Sequence, residues 1–178
     1  MPYSYGDLRP FIKQYLEKKV WPRATEILDV GAGAGVYADL LRGTFPNIDA
    51  VEVWEPYIKQ FNLEKKYRKV FCQDVRTLPA NYYKDRVIIM GDVFEHLNVL
   101  DAQYLVNAMS EYGAKLILIV VPYLYEQGED HPDVVALGNK YEIHKQPDLT
   151  HDVFMQRYSQ MSLLTKNDRV GAYIWERT

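Results

Sequence analysis

Residues 25–41, TEILDVGAGAGVYADLL, decide how this chain is read. A short run, Ile27-Leu28-Asp29-Val30, is apolar except for Asp29 and stops at three alternating glycines, Gly31, Gly33 and Gly35. The leucines of VYADLLR then suit a helix, so the order is strand, tight turn, helix. Glycines at such a turn let the backbone bend sharply and lie close against a ligand. The helix start that follows presents backbone N–H groups to a carboxylate or phosphate.

Outward from this stretch the same alternation repeats. IDAVEV (48–53) leads into PYIKQFNLEKK (56–66), whose opening proline fits a first helical position, where no amide proton is needed. KVFCQDV, DRVIIMGDV and AKLILIVV read as third, fourth and fifth strands, near-continuous apolar runs of the kind a sheet covered on both faces requires. Between the last two, DAQYLVNAMSEY reads as an amphipathic helix capped by Asp101, and upstream DLRPFIKQYLEKK reads as one capped by Asp7, within residues 1–20. From Pro122 to Leu149 periodicity disappears, and a segment this long without regular pattern in a compact protein is usually functional. Thr150 then caps HDVFMQRY, and QMSLLTK, NDR and VGAYIWER form a closing hairpin. The expectation is an α/β protein with a doubly wound, mostly parallel sheet and helices on both faces, its 178 residues forming a single domain.

Composition narrows the partners. The chain is 48% hydrophobic, 25% charged and 13% aromatic, as a globular protein is, and its net charge of −3 gives no general attraction to nucleic acid. The one cysteine, Cys72, cannot form an internal disulfide, and its apolar run places it in the core. The longest apolar run, Leu116 to Val121, is far short of the roughly 18 residues a membrane span needs, and no N-terminal apolar leader is seen. A cytoplasmic protein is expected.

Three strand ends carry acids: Asp29, Glu52 and Asp74. In a doubly wound sheet ligands bind at the carboxyl ends of the strands, so the three converge on one crevice. Glu52, 17 residues past Gly35, suits a ribose whose two hydroxyls it can accept; Glu55, before Pro56, better serves a helix start. Val53 and Trp54 follow where an adenine face would lie, with Trp54 as plain surface filler the alternative. Asp74 can accept from an adenine amine and the amide of Val75 can donate to a ring nitrogen. At the turn itself, the amides around Gly31, Ala32, Gly33 and Gly35 suit the carboxylate of S-adenosylmethionine, and Asp29 suits its ammonium, directly or through water. A dinucleotide turn is the rival, since Gly33-x-Gly35-x-x-Ala38 satisfies its formal pattern. It leaves Asp29 and Gly31 unexplained and sets a carboxylate beside a pyrophosphate.

The runs ILDVGAGAGVYADLL, VEVWEPYI, CQDV and GDVFEHL resemble class I S-adenosylmethionine-dependent methyltransferases of the Asp-x-x-Glu-His-Leu type, over roughly Thr25 to Pro122. The resemblance implies a Rossmann-like, seven-stranded sheet with the last strand antiparallel. It also implies S-adenosylmethionine as cofactor, S-adenosylhomocysteine as product, contacts at Asp29, Gly31, Gly33, Glu52, Asp74 and Val75, and Asp92 near the reacting end.

Methyl transfer from a sulfonium needs alignment more than specialised groups, which makes catalytic residues hard to read. Glu95 and His96 stand beside the expected methyl position, either to orient substrate and supply a base or to cap a helix and bond backbone. His144, in GNKYEIH, resembles an Asn, Glu and His cluster that follows the fifth strand in some bacterial and phage methyltransferases, and is the other catalytic candidate. His131, His144 and His151 with Asp130, Asp133 and Glu142 match no compact ligand spacing, so no metal is expected. Tyr123, Tyr125 and Tyr141 either line an acceptor pocket or anchor the irregular segment. There is no Asn/Asp-Pro-Pro-aromatic segment after the fourth strand and no Pro-Cys nucleophile, so a small molecule or glycan accepting at oxygen or nitrogen is favoured over a nucleic-acid base. Acceptor choice falls to residues 122–150, an acceptor-side loop or lid, and their neighbours. A non-catalytic S-adenosylmethionine-binding module and an NAD-dependent oxidoreductase are the alternatives.

Overall fold

The computed structural model of the protein describes residues 6–20 and 24–177; residues 1–5 of the N-terminal segment lie outside them. After helix α1 (Arg9–Lys19) come β1 (Glu26–Val30), α2 (Val36–Leu41), β2 (Asn47–Glu52), α3 (Glu55–Gln60), α4 (Leu63–Lys66) and β3 (Lys69–Cys72). The chain then returns through β4 (Val87–Gly91), α5 (Val99–Glu111), β5 (Leu116–Pro122), α6 (Pro132–Leu137), α7 (His151–Arg157) and the hairpin β6 (Ser162–Lys166) and β7 (Val170–Glu176). The strands form one sheet in the order β3-β2-β1-β4-β5-β7-β6. β1 to β5 are parallel and β7 runs antiparallel between β5 and β6, as the Rossmann-like expectation had it.

Both faces are covered, which is why the central strands β4 and β5 are apolar throughout. Along β5, Ile117, Ile119 and Val121 pack with Leu105, Val106, Phe154 and Tyr158 from α5 and α7 and from the residue that ends α7. Leu116, Leu118 and Val120 join the opposite core, with Ile12, Leu16, Ala38 and Leu41 from α1 and α2. The chain leaves β1 toward β2 and β3 on one side and then crosses back from β3 to β4 on the other, so a crevice opens above the carboxyl ends of β1 and β4.

Local chemistry corrects several expectations. Asp7 does not cap α1; its carboxylate accepts from Arg169 Nη2 at 2.6 Å and Asn167 Nδ2 at 3.0 Å, tying the helix start to the β6–β7 turn. Helix α5 begins earlier than expected, because Asn98 rather than Asp101 is its cap: Asn98 Oδ1 accepts from the Asp101 amide at 2.8 Å. The helix expected over 56–66 breaks into α3 and α4 at Asn62, whose φ of 51° is left-handed, a conformation asparagine tolerates better than most residues. Cys72 is exposed rather than core, since it ends β3, an edge strand. Thr150 does cap α7, accepting from the Val153 amide at 3.2 Å. Among the described residues no helix is long and apolar enough to cross a membrane.

Candidate active site

Above the ends of β1, β2 and β4 lies a cavity of about 440 Å³. The glycine turn forms its floor. Gly31 and Ala32 donate their amides to Val51 O at 2.8 and 3.2 Å, so the turn is pinned to the end of β2. Gly31 has φ 68°, and a Cβ there would stand 2.4 Å from Val93 Cγ2. Glycine is therefore required both for the backbone conformation and for the space beside the strand that leads to Asp92.

Glu52 ends β2, lines the cavity and is 5% exposed. Its Oε2 accepts from the Gly33 amide and its Oε1 from the Trp54 amide, each at 2.8 Å. Burial pushes its carboxyl above the usual range, against the pull of those two amides. Each oxygen still has a second lone pair for a ligand hydroxyl. The row of open amides expected at the turn is thus largely engaged within the protein: those of Gly31, Ala32, Gly33 and Gly35 all have internal acceptors. A pyrophosphate would have to displace these bonds and face Glu52.

The other sequence candidates divide. Ala32, Gly33, Val53, Asp74, Val75 and Asp92 line the cavity, while Gly35 and Trp54 do not; the Trp54 ring stands 6.3 Å from that of Tyr141. Asp29 is 1% exposed and sits behind the turn, where Tyr67 Oη donates to its Oδ2 at 2.5 Å. Burial raises Asp29 to about 7, the tyrosine partly opposing it. Asp74 is clamped by Arg76, whose amide and guanidinium both donate to it and hold its carboxyl below the usual range. Arg76 also reaches Asp101 at 2.5 Å, joining the end of β3 to α5. Asp92 follows β4 with φ 52°, its amide donating to Val120 O at 2.9 Å. A side-chain-bearing residue held in that conformation at a cavity wall is a mark of a functional position.

His96 and His144 are brought together, their rings 4.6 Å apart edge to face. Only His96 lines the cavity. Its Nδ1 lies 3.3 Å from Ile143 O, and the Nδ1 of His144 lies 2.8 Å from Tyr125 O. Burial and the neighbouring His144 pull His96 down to about 4, and burial lowers His144 as well. His151 instead stacks on Tyr173, away from this pair.

Sequence reasoning missed Tyr37, Tyr57, Arg76, Lys140 and Lys145, and gave Asn139 and Glu142 no place in the cavity wall that all seven help to form. Tyr57 Oη donates to Glu142 Oε1 at 2.9 Å, bridging α3 to the irregular segment. Gln127 Nε2 donates to Glu142 O at 2.7 Å, and Gln146 Nε2 donates to Phe94 O and Leu97 O at 2.8 and 3.0 Å. The segment is therefore stitched down as one wall of the cavity. Of its three tyrosines, Tyr141 lines the cavity, Tyr123 pairs with the Tyr173 hydroxyl at 2.6 Å, and Tyr125 packs on His144.

By sequence the chain matches no protein-family model and no curated protein. By structure it is similar to a S-adenosylmethionine-dependent methyltransferase from Clostridium acetobutylicum (TM-score 0.68, 13% identity, 98% of this chain and 92% of that one). Similar too are magnesium protoporphyrin IX methyltransferase from Synechocystis with bound S-adenosylhomocysteine (0.66, 11%, 96% and 81%) and the plantazolicin methyltransferase BpumL in complex with the same product (0.66, 16%, 96% and 82%). At these identities the likeness is one of architecture: this chain has the fold of solved class I S-adenosylmethionine-dependent methyltransferases.

Proposed function

We propose that this chain is a methyltransferase that binds S-adenosylmethionine in the 440 Å³ cavity and passes its methyl group to an oxygen or nitrogen of a small molecule or glycan. The observation that carries this reading is the arrangement of Glu52, Asp74 and Asp92 at the ends of β2, β3 and β4 around one cavity floored by the glycine turn. The cavity is of small-molecule size. Its carboxylates suit a ligand that carries a sulfonium, an ammonium and a ribose diol, and they oppose a pyrophosphate. That two structures sharing the fold hold S-adenosylhomocysteine supports the same cofactor here.

Bound there, S-adenosylmethionine would supply a methyl carbon open to attack by an acceptor lone pair, with a neutral thioether as leaving group and the acceptor proton passing to a base or to water. Most of the acceleration comes from alignment and exclusion of water, worth up to roughly 7–11 kcal/mol. Glu52 would hold the ribose, Asp74 and Val75 the adenine, and Asp92 the neighbourhood of the sulfonium. His96 is the candidate group at the reacting end, with His144 behind it; Lys140, Tyr141 and Lys145 would meet the acceptor. Residues 122–150 then serve as the acceptor side of a single domain, and an exposed, lone Cys72 accords with a reducing cytoplasm.

Calorimetric titration with S-adenosylmethionine, S-adenosylhomocysteine and NAD tests the reading. Micromolar binding of the first two without NAD is expected, followed by turnover to S-adenosylhomocysteine with candidate acceptors. Binding of NAD alone would overturn the assignment, and cofactor binding without turnover on any acceptor would mark a non-catalytic module.

A further inference from the structure

Glu95 poses a physical problem. It lies on the single helical turn Phe94–His96, is 1% exposed, and neither carboxylate oxygen has a hydrogen-bond partner among the described residues. Its backbone carbonyl is used, accepting from the amides of Lys145 and Gln146, but the carboxylate caps nothing. Burying such a group unpaired is costly, and more so for an ion than for a neutral polar group. Carboxylates are found that way where they are protonated or where a cation completes them.

The surroundings favour the cation. One ligating atom each from Glu95, His96 and His144 lies within 4.8 Å of the others, and Glu95 Oε1 is 3.9 Å from His96 Nε2. Both imidazoles have Nδ1 against a backbone carbonyl, that of Ile143 for His96 and that of Tyr125 for His144. A carbonyl only accepts, so each Nδ1 carries the proton and each Nε2 is left with its lone pair. This is the outer arrangement that orients metal-bound histidines. Around an ion with bonds of about 2.1 Å, neighbouring ligands stand roughly 3 Å apart, so binding would draw the three side chains in by about 1 Å.

We propose that Glu95, His96 and His144 form a binding site for one divalent first-row transition ion, open toward the cavity on the side of His96. Two imidazole nitrogens and one carboxylate oxygen suit zinc, manganese, cobalt or iron(II) better than calcium or magnesium, which prefer oxygen throughout. Resting on the methyl-transfer reading above, the ion's remaining positions would take an oxygen of the acceptor, which makes a hydroxyl-bearing acceptor the substrate class. Ion binding itself does not depend on that reading.

The test uses the full chain stripped with a chelator. Cobalt(II) is followed by its visible absorption, and zinc and manganese by calorimetry, with magnesium as control. One equivalent of cobalt and zinc should bind, and Glu95→Gln, which keeps the side chain's shape, should weaken binding by at least about 100-fold, as should His144→Ala. Circular dichroism reports whether each variant is folded. Absence of stoichiometric binding to the folded wild type overturns the site, as does a folded Glu95→Gln or His144→Ala protein that binds as tightly as wild type. S-adenosylhomocysteine is titrated in parallel without metal: its binding in a chain that takes no ion removes the ion site and leaves the cofactor reading, while the reverse result does the opposite.

Discussion

Replacing Glu52 with alanine separates the two tasks assigned to that carboxylate. In the folded chain it accepts the buried Gly33 amide and the half-buried Trp54 amide, both at 2.8 Å. Losing both acceptors leaves those donors unsatisfied, at roughly 1–3 kcal/mol for the buried one and about 1 kcal/mol for the other. Burial, however, already works against the ionised carboxylate, and its removal returns part of that cost. The net loss of stability should therefore be moderate, about 1–3 kcal/mol, read from urea denaturation. The ligand loses more specifically: each ribose hydroxyl donating to a charged acceptor is worth about 1.5–3 kcal/mol, so affinity for S-adenosylhomocysteine should fall at least about 10- to 150-fold by calorimetry. Glu52→Gln should fall between wild type and alanine in affinity, since it keeps one acceptor and loses the charge. A folded Glu52→Ala protein that binds S-adenosylhomocysteine as wild type does would refute the placement of the ribose, and with it the orientation of the whole ligand.

Two further substitutions probe the turn. Asp29, ordinarily near 3.8 and raised to about 7 in the fold, keeps a proton that the unfolded chain releases. Relative to Asp29→Asn, wild type should thus lose about 4 kcal/mol of stability as pH rises from about 4 to about 7, and the difference should then level off; parallel urea midpoints for the two between pH 4 and 8 would contradict this. Gly31→Ala would force a Cβ to 2.4 Å from Val93 Cγ2 at a φ of 68°. It should cost about 2–4 kcal/mol in urea, and a loss under 1 kcal/mol would show that the Val93 wall yields freely.

What could be read from sequence follows from which forces are local. Strands β4 and β5 are apolar on both faces and β1 is so apart from Glu26 and Asp29, so their runs identify them and the alternation with helices gives the sheet. The glycine turn and the strand-end acids are likewise local signals, and β2 and β3 place Glu52 and Asp74 where their strands end. Asp7 and Asp101 misled because an acid before a helix is a cap only if no better partner competes, and Arg169, Arg76 and Asn98 are partners brought by tertiary structure or lying outside the pattern sought. The break at Asn62 is illegible for a similar reason. It turns α4 so that Lys66 Nζ meets Ala34 O and Asp39 Oδ2 at 2.9 and 2.6 Å, while Tyr67 meets Asp29. One left-handed asparagine thereby sets two of the supports of the glycine turn.

The same distinction explains why the reacting end was the least legible part. Strand-end residues are fixed by sheet register, but His144 reaches His96 on a segment held in large part by polar stitching. The amides of Lys145 and Gln146 bond Glu95 O, the Gln146 side chain bonds Phe94 O and Leu97 O, and Tyr158 Oη in turn holds Gln146 Oε1 at 2.9 Å. Gln146 is 1% exposed, so these bonds are made where water cannot replace them. Residues 94–97 and 142–146 are consequently one unit with two covalent origins, and a change in either repositions both. A substitution at Gln146, though it does not line the 440 Å³ cavity, should disturb the Glu95, His96 and His144 cluster before it disturbs Glu52 or the glycine turn, because the latter hang on β1 and β2 and, among the described residues, share no hydrogen bond with the Gln146 side chain.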